Sequence, residues 1–456
     1  MRWSWQQSKQ QSTCQSYAPP VNEKLIVIKP MRLCVLLVPS YRGMVSHAES
    51  LGFVRRSIRV ASGEVVPFLQ RDLQGKNKDS NTLVVLHGLT SSKEKAIFQC
   101  GDRLLGGQQQ QQQQQQHNDG DAIATHCGRV LIPDQRGHGE RIPFAMKHQR
   151  TSGWSLAERA EDLTEFLKAV AEEDGDSGVA DAQNIDIMGY SMGGALALKW
   201  AELGNVHRIR RAVLLAPAVR LTAECVLEHR QGVVRYAFAS VPDAADYLEI
   251  VGASREVAAA LAPVSAKMRE LSHGIDGRPA TSSELEAIRS FWERQWRGLV
   301  GADLAEPGGE GAASVPAGAA ALAEARVPTL IVQSESDRVT DASGARLVAK
   351  AFHHSGGVVE VAAPVDVLHA DAAAAGEAPL CTLLLHQHGY GHYLHPGSKA
   401  SDGPVKNFLR PSYEAAARFL GFSLADGATA GHGRSGGSGN AVDASTPVHT
   451  TTRSKL

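Results

Sequence analysis

The residues Gly189-Tyr190-Ser191-Met192-Gly193 hold a hydroxyl between two glycines in a setting that can make it a nucleophile. An apolar run, Ile185 to Met188, leads into the pentapeptide, and a helix-forming run, Ala195-Leu-Ala-Leu-Lys-Trp-Ala-Glu202, leads out of it. Strand, very tight turn and helix in that order make a nucleophile elbow. The chemistry explains the glycines. Ser191 must adopt a strained backbone conformation to lift its Oγ clear of the sheet. Strand and helix then crowd each other on either side, where only small residues fit, and Gly189 and Gly193 stand there. The helix N-terminus also turns backbone N–H groups toward the reacting atoms. Without its flanks the pentapeptide is a common glycine-rich turn; the strand before it and the helix after it favour the elbow.

The elements that would position this serine can be followed along the chain. Val54 to Arg71 reads as a hairpin, two short alternating runs around a glycine turn. Thr82-Leu-Val-Val-Leu86 is a continuous apolar strand of the kind covered on both faces. It runs into His87-Gly88-Leu89, where glycine lets the backbone turn inward. The N–H of Leu89 and the N–H of Met192 are then the candidate donors of an oxyanion hole. Residues 93–105 suit a helix. A second buried strand, Arg129 to Ile132, opens into Pro133-Asp-Gln-Arg-Gly-His-Gly-Glu140. Ser155-Leu-Ala-Glu158 is a capping box. It predicts a helix to about Glu173 with Leu156, Ala160, Leu163, Phe166, Leu167 and Val170 on its buried face. A further strand, Arg211 to Ala216, follows the elbow.

Three of these motifs, His-Gly after one strand, Asp-x-Arg-Gly-His-Gly after the next and Gly-Tyr-Ser-Met-Gly-Gly after a third, resemble the α/β-hydrolase superfamily. The likeness is strongest to its lipase, esterase and peptidase group, and it spans about residues 54–422. It implies an α/β fold: a mostly parallel central sheet flanked by helices, with an inserted helical cap and disordered insertions. His138 would then shape the floor of the site rather than act as base. Residues 218–326 break the strand–helix alternation, as a cap would, with helical runs near 243–260, 262–271 and 282–299. Phe291, Trp292 and Trp296 on the last of these suggest either packing of cap on core or an apolar lining for an acyl chain. The Ala/Gly-rich run Pro307 to Ala321 reads as a loose linker. Alternation resumes at Val327 to Gln333, and the family pattern places the triad's acid just beyond that strand. Asp337 matches, although Ser334 stands where glycine is usual. Asp341 is read as opening the next helix, and Glu335 as pointing elsewhere. Val358 to Val361 and Thr382 to Leu385 both suit the last strand region, with 362–380 as an insertion between them. The base should follow on a loop. Gly389-Tyr-Gly-His-Tyr393 resembles the family's Gly-His loop, so His392 leads, ahead of His388, His386 and His395. A final helix over 411–420 is expected.

Together the pattern gives a core of 51–217 and 327–422, a cap of 218–326, an extension of 1–50 and a flexible tail of 423–456. Either Met31 or Met44 could be the true start. Gln108 to Gln116 is an unbroken polyglutamine run, and 106–121 is expected to be a disordered insertion without a catalytic role. The formal net charge of −1 and 21% charged residues point to no nucleic-acid partner. No apolar stretch is long enough for a membrane span. The six cysteines are scattered without zinc-like spacing, which suggests free thiols in a reducing compartment. The chain closes Ser454-Lys455-Leu456, the peroxisomal address, whose partner would be the import receptor of that or a related organelle.

In the implied mechanism His392 takes the proton of Ser191 and Asp337 fixes the imidazole's tautomer. Each oxyanion donor contributes roughly 3–4 kcal/mol. Such chemistry transfers acyl groups and needs no metal and no dissolved cofactor. The reading is a lipase, esterase or acyl-CoA thioesterase acting on a small acyl substrate. An acyltransferase or peptidase would share every residue named. A non-catalytic binding protein on this fold would be expected to have lost triad members. Haloalkane- and epoxide-type hydrolases carry Asp where Ser191 stands.

Overall fold

The computed structural model describes residues 48–73, 81–100 apart from Thr90, 127–147, 154–174, 185–220, 241–250, short pieces between 255 and 263, 281–302, 314–362 apart from Ser336, Arg338, His354 and Gly356, 379–386, His392, and 415–420 apart from Arg418. The expectations for 1–47, the polyglutamine run, His388, His395 and the tail from 423 lie outside these residues.

Among the described residues, nine strands form one sheet: β1 (Val54–Arg59), β2 (Val65–Asp72), β3 (Asn81–Leu86), β4 (Cys127–Pro133), β5 (Ile185–Tyr190), β6 (Ile209–Leu215), β7 (Thr329–Ser334), β8 (Val358–Ala362) and β9 (Cys381–His386). Their order is β1-β2-β4-β3-β5-β6-β7-β9-β8. The hairpin β1–β2 and the pair β2–β4 are antiparallel, and every other pairing is parallel. The central strands are mostly apolar because helices cover both faces, and every residue of β5 and β7 is buried. The described helices that matter here are α1 (Lys93–Cys100), α2 (Leu156–Glu173), α3 (Met192–Trp200), α4 (Val241–Ile250), α5 (Ser282–Ala302), α6 (Ser314–Glu324) and α7 (Ala342–Lys350).

Helix α2 starts where its sequence predicts. Ser155 Oγ accepts from the N–H of Glu158, and the Glu158 carboxylate accepts from the N–H of Ser155, so the capping box is closed. All six apolar residues expected on its inner face are buried. Asp341 caps α7, its carboxylate accepting from the N–H of Ser343, and Glu335 pairs with Arg346 at the surface. Both candidate final strands belong to the sheet. The later one, β9, lies between β7 and β8.

One expectation is corrected. From Ser314 on, the Ala/Gly-rich run read as a loose linker at the end of the cap lies in α6, and α6 packs on the core helix α3. The small residues are what allow the approach. A Cβ at Gly318 would lie 2.6 Å from the carbonyl carbon of Leu198, so the two backbones all but touch. Ala319, Leu322 and Ala323 are buried in the same cluster as Trp200. Low side-chain volume marks a close helix–helix seam here, and by its packing this part of the expected cap is core.

Among the described parts of the cap, α5 meets the core. Ile288, Phe291 and Trp292 form a cluster with Ile142, Ala145 and Trp154. Gln295 Oε1 accepts from the N–H of Trp154 at 3.2 Å and from Arg159 Nη2 at 3.0 Å. For Phe291 and Trp292, cap-on-core packing is therefore the arrangement seen; the Trp296 side chain lies outside the described residues.

Candidate active site

Strand β3 lies between β4 and β5, so the chain reverses its direction of travel across the sheet at the β3/β5 boundary. In open α/β sheets ligands collect beyond the carboxyl ends of strands at such a point. The register pairs Leu86 with Gly189. Two residues further along, Gly88 and Ser191 are side by side, and a Cβ on Gly88 would sit 3.3 Å from the Ser191 Cβ.

Ser191 has φ 53° and ψ −117°, a conformation that side-chain-bearing residues rarely adopt. It is held there from both sides. Its N–H donates to Leu215 O at 2.8 Å, and its carbonyl accepts from Gly194 at 2.9 Å and from Ala218 at 3.0 Å. The flanking glycines are required sterically. A Cβ on Gly189 would lie 2.6 Å from the Gly194 nitrogen, and one on Gly193 would lie 2.7 Å from the Leu86 carbonyl carbon. Gly193 thus lets α3 pass over the end of β3, the neighbouring strand, as well as over its own.

The structure brings together the three side chains singled out in the sequence. Ser191 Oγ lies 3.0 Å from His392 Nε2, and His392 Nδ1 lies 2.9 Å from Asp337 Oδ2. All three residues are buried. With the ring proton on Nδ1, the imidazole donates to Asp337 and Nε2 accepts the Ser191 hydroxyl. Burial by itself would raise the Asp337 pKa. The adjacent His392 and the hydrogen bonds from His392 and Thr340 outweigh it and hold this carboxylate below its ordinary value.

Sequence reasoning did not find the residues that orient Asp337. Its Oδ1 accepts from the N–H groups of Val339 at 2.7 Å and Thr340 at 3.0 Å. Its Oδ2 accepts from Thr340 Oγ1 at 2.6 Å and Gln333 Nε2 at 3.2 Å. Two signals were present. Thr340 stands three residues after an acid, a spacing for local side-chain bonding, and Gln333 is polar at the end of an otherwise apolar strand.

The oxyanion candidates, Leu89 and Met192, occupy the expected places, the turn after β3 and the first turn of α3. The turn is braced from behind. Gln135 Nε2 donates to His87 O at 2.6 Å, and the Gln135 N–H donates to His87 Nε2 at 3.2 Å. Burial pushes the His87 pKa down to about 4. His138, the residue set aside as a floor element, is fully buried with its ring 4.5 Å from Trp292 and 5.0 Å from His87, and burial lowers its pKa too. Beneath the turn lies a charge cluster. Lys93 Nζ reaches Asp134 at 2.8 Å, Glu140 at 2.6 Å and Glu94 at 2.9 Å, while Asp134 also accepts from the N–H groups of Lys93 and Glu140. Arg141 is clamped between Glu64 and Asp162. These ions tie the loop after β4 to the start of α1 and to α2.

No helix among the described residues is long and apolar enough to cross a membrane. No curated protein sequence matches the chain. Solved structures with similarity include a putative lipase from Acinetobacter baumannii AYE, at 15% identity and TM-score 0.44, over 77% of this chain and 89% of that one. An esterase from Rhodococcus sp. ECU1013 matches at 14% identity and TM-score 0.43, over 81% and 99%. A meta-cleavage product hydrolase from Pseudomonas fluorescens IP01 matches at 15% identity and TM-score 0.43, over 75% and 92%. The family profile Hydrolase_4, described as serine aminopeptidase, S33, matches residues 111–363. With more than half of its length matched, this chain belongs to that family of α/β-hydrolases.

Proposed function

We propose that the protein hydrolyses a carboxylic ester or thioester of a small, lipid-like acyl substrate through an acyl-enzyme on Ser191. The observation that carries this reading is the continuous hydrogen-bonded line from Ser191 Oγ through His392 to Asp337. In the first half-reaction His392 Nε2 accepts the Ser191 proton as Oγ attacks the carbonyl carbon. The N–H groups of Leu89 and Met192 receive the developing oxyanion, and the proton on Nε2 passes to the leaving alcohol or thiol. In the second, His392 takes a proton from water, whose oxygen attacks the acyl-enzyme, and returns it to Ser191. Asp337 stays ionised and stabilises the imidazolium.

The test is labelling with a fluorophosphonate and turnover of short p-nitrophenyl esters. Ser191→Ala should abolish both while leaving thermal unfolding cooperative. Labelling that persists in that variant would defeat the assignment. A second reading is favoured by the family's description as serine aminopeptidase: the same triad cleaving an N-terminal amino acid. Aminoacyl p-nitroanilides in parallel with acyl esters and acyl-CoA thioesters separate the two. We also propose a peroxisomal location read from Ser454-Lys455-Leu456. A fluorescent fusion at the N-terminus should be punctate in cells, and diffuse once the tripeptide is deleted; import of the truncated chain would sink the proposal.

A further inference from the structure

The second residue of the elbow, Tyr190, has a hydroxyl that the mechanism does not use. Tyr190 ends β5, one residue before the nucleophile, and is 4% exposed. Its Oη donates to the backbone carbonyl of His392 at 3.0 Å, a contact between residues 202 positions apart in the chain. The ring is confined. One neighbour is the imidazole itself, with ring centres 5.3 Å apart at 44°. Another is the Gly88 turn, where a Cβ would lie 3.0 Å from the Tyr190 Cδ1 and 3.2 Å from its Cε1. Around it lie Met188, Val213 and Leu215 of the sheet's buried face.

We propose that Tyr190 is a positioning residue: its phenol fixes the backbone of His392 relative to Ser191, and its ring sets the Gly88–Leu89 turn at the same time. The inference rests on the serine-hydrolase reading above. The physical case is one of lever arms. The imidazole hangs from a loop, and its Nε2 must stay in line with Oγ before attack and swing toward the leaving group afterwards. A base that drifts by an ångström loses much of the benefit of a pre-oriented site. The elbow is held on both sides, because Ser191 is hydrogen-bonded to β6 and to the residues beyond it. A donor one residue away from Ser191 that grips the base's own carbonyl therefore refers the base to the nucleophile by a short covalent path. The same ring touches the turn that carries the candidate oxyanion donor Leu89, so nucleophile, base and oxyanion turn share one gauge.

Tyr190→Phe removes the donor and keeps the ring, and Tyr190→Leu removes both. Steady-state kinetics on a p-nitrophenyl ester and the rate of fluorophosphonate labelling would be read on the unmodified protein and on each variant, with thermal unfolding of the same samples. The proposal expects Tyr190→Phe alone to lower kcat by about tenfold or more, the equivalent of losing one buried hydrogen bond's ~1.4 kcal/mol. KM should stay within about twofold and labelling should slow in parallel. If Tyr190→Phe keeps kcat and only Tyr190→Leu is impaired, the ring merely fills space and the proposal falls; it falls equally if only the melting temperature moves. Should Tyr190→Phe prove insoluble, 3,5-difluorotyrosine at this position keeps shape and hydroxyl but loses its proton at lower pH than tyrosine. A new alkaline fall in kcat supports the proposal, and a profile unchanged up to about pH 10, where tyrosine itself ionises, overturns it. Labelling of the unmodified protein that is absent in Ser191→Ala reports on the underlying reading separately.

Discussion

Replacing Gly318 by alanine is expected to destabilise the protein, against the usual sign for such a change. In the interior of a helix, Gly→Ala ordinarily stabilises by about 0.5–1 kcal/mol, because alanine loses less backbone freedom on folding. Gly318 lies in α6, so that gain is available. The new methyl, however, would stand 2.6 Å from the Leu198 carbonyl carbon and 3.1 Å from its Cα. Carbon–carbon contacts settle at about 3.5–4.0 Å, so α6 must retreat from α3 by roughly an ångström. The obstacle is main chain in the middle of a buried helix and cannot swing aside. Retreat also loosens Ala319, Leu322 and Ala323, which the seam buries. Overpacking of this type costs about 1–3 kcal/mol, and the net loss after the propensity gain should be about 1–2 kcal/mol. Urea unfolding monitored by circular dichroism measures it as a lower midpoint at unchanged slope. Ala317→Gly is the control: this residue is exposed on the same helix and should lose only about 0.5–1 kcal/mol. If Gly318→Ala is neutral or stabilising, the segment is not seated on α3, and the linker reading is restored.

Three further outcomes are expected. Asp337→Asn should lower kcat by roughly 10²–10⁴ with a much smaller change in KM, because the amide no longer fixes the imidazole's tautomer; stopped-flow acylation that keeps its full rate would contradict this. His87 is neutral in the fold with its pKa near 4, against about 6.5 when unfolded. Its contribution to stability is therefore fully present above about pH 6.5 and is lost as pH falls toward 4, by about 3 kcal/mol. In His87→Gln the fall in urea midpoint over that range should be shallower, and parallel pH profiles for the two proteins would refute it. Lys93→Met leaves Glu94, Asp134 and Glu140 close together without the ammonium that all three now pair with. It should cost about 3–5 kcal/mol at pH 7 and less at lower pH, where Glu94, whose pKa burial already raises, takes up a proton; a cost independent of pH would argue against the cluster.

What the sequence makes legible here is whatever local stereochemistry dictates. Gly189 and Gly193 announce the elbow because no Cβ fits at either place. Ser155 and Glu158 announce α2 because they satisfy each other's backbone. Asp341 and Asp337 separate correctly, one capping α7 and the other turned toward an imidazole, because each sits at a fixed offset from a strand or helix end. What stayed illegible depends on partners distant in the chain. The composition of 307–321 is the same for a tether as for a helix pressed against a neighbour, and only Leu198 distinguishes them. Nothing local in the sequence pairs Lys93 with Asp134 and Glu140, which meet only because the loop after β4 folds over α1. Tyr190 reads as the variable letter of a motif, since nothing nearby in the sequence says that residue 392 will lie over it.

The position of β9 has a consequence for synthesis on the ribosome. Among the described strands, β9, which precedes His392, is the last to be translated, yet it lies inside the sheet, with β7 on one side and β8 on the other. Until residues 381–386 emerge, β8 has no described neighbour in the sheet, and the acid after β7 waits beside an open edge. Domains are generally completed from the N-terminus onward as the chain grows, so Ser191 is translated well before the candidate base His392. A chain cut short before residue 381 would lack both β9 and His392, and β7 would offer an unpaired apolar edge to other chains.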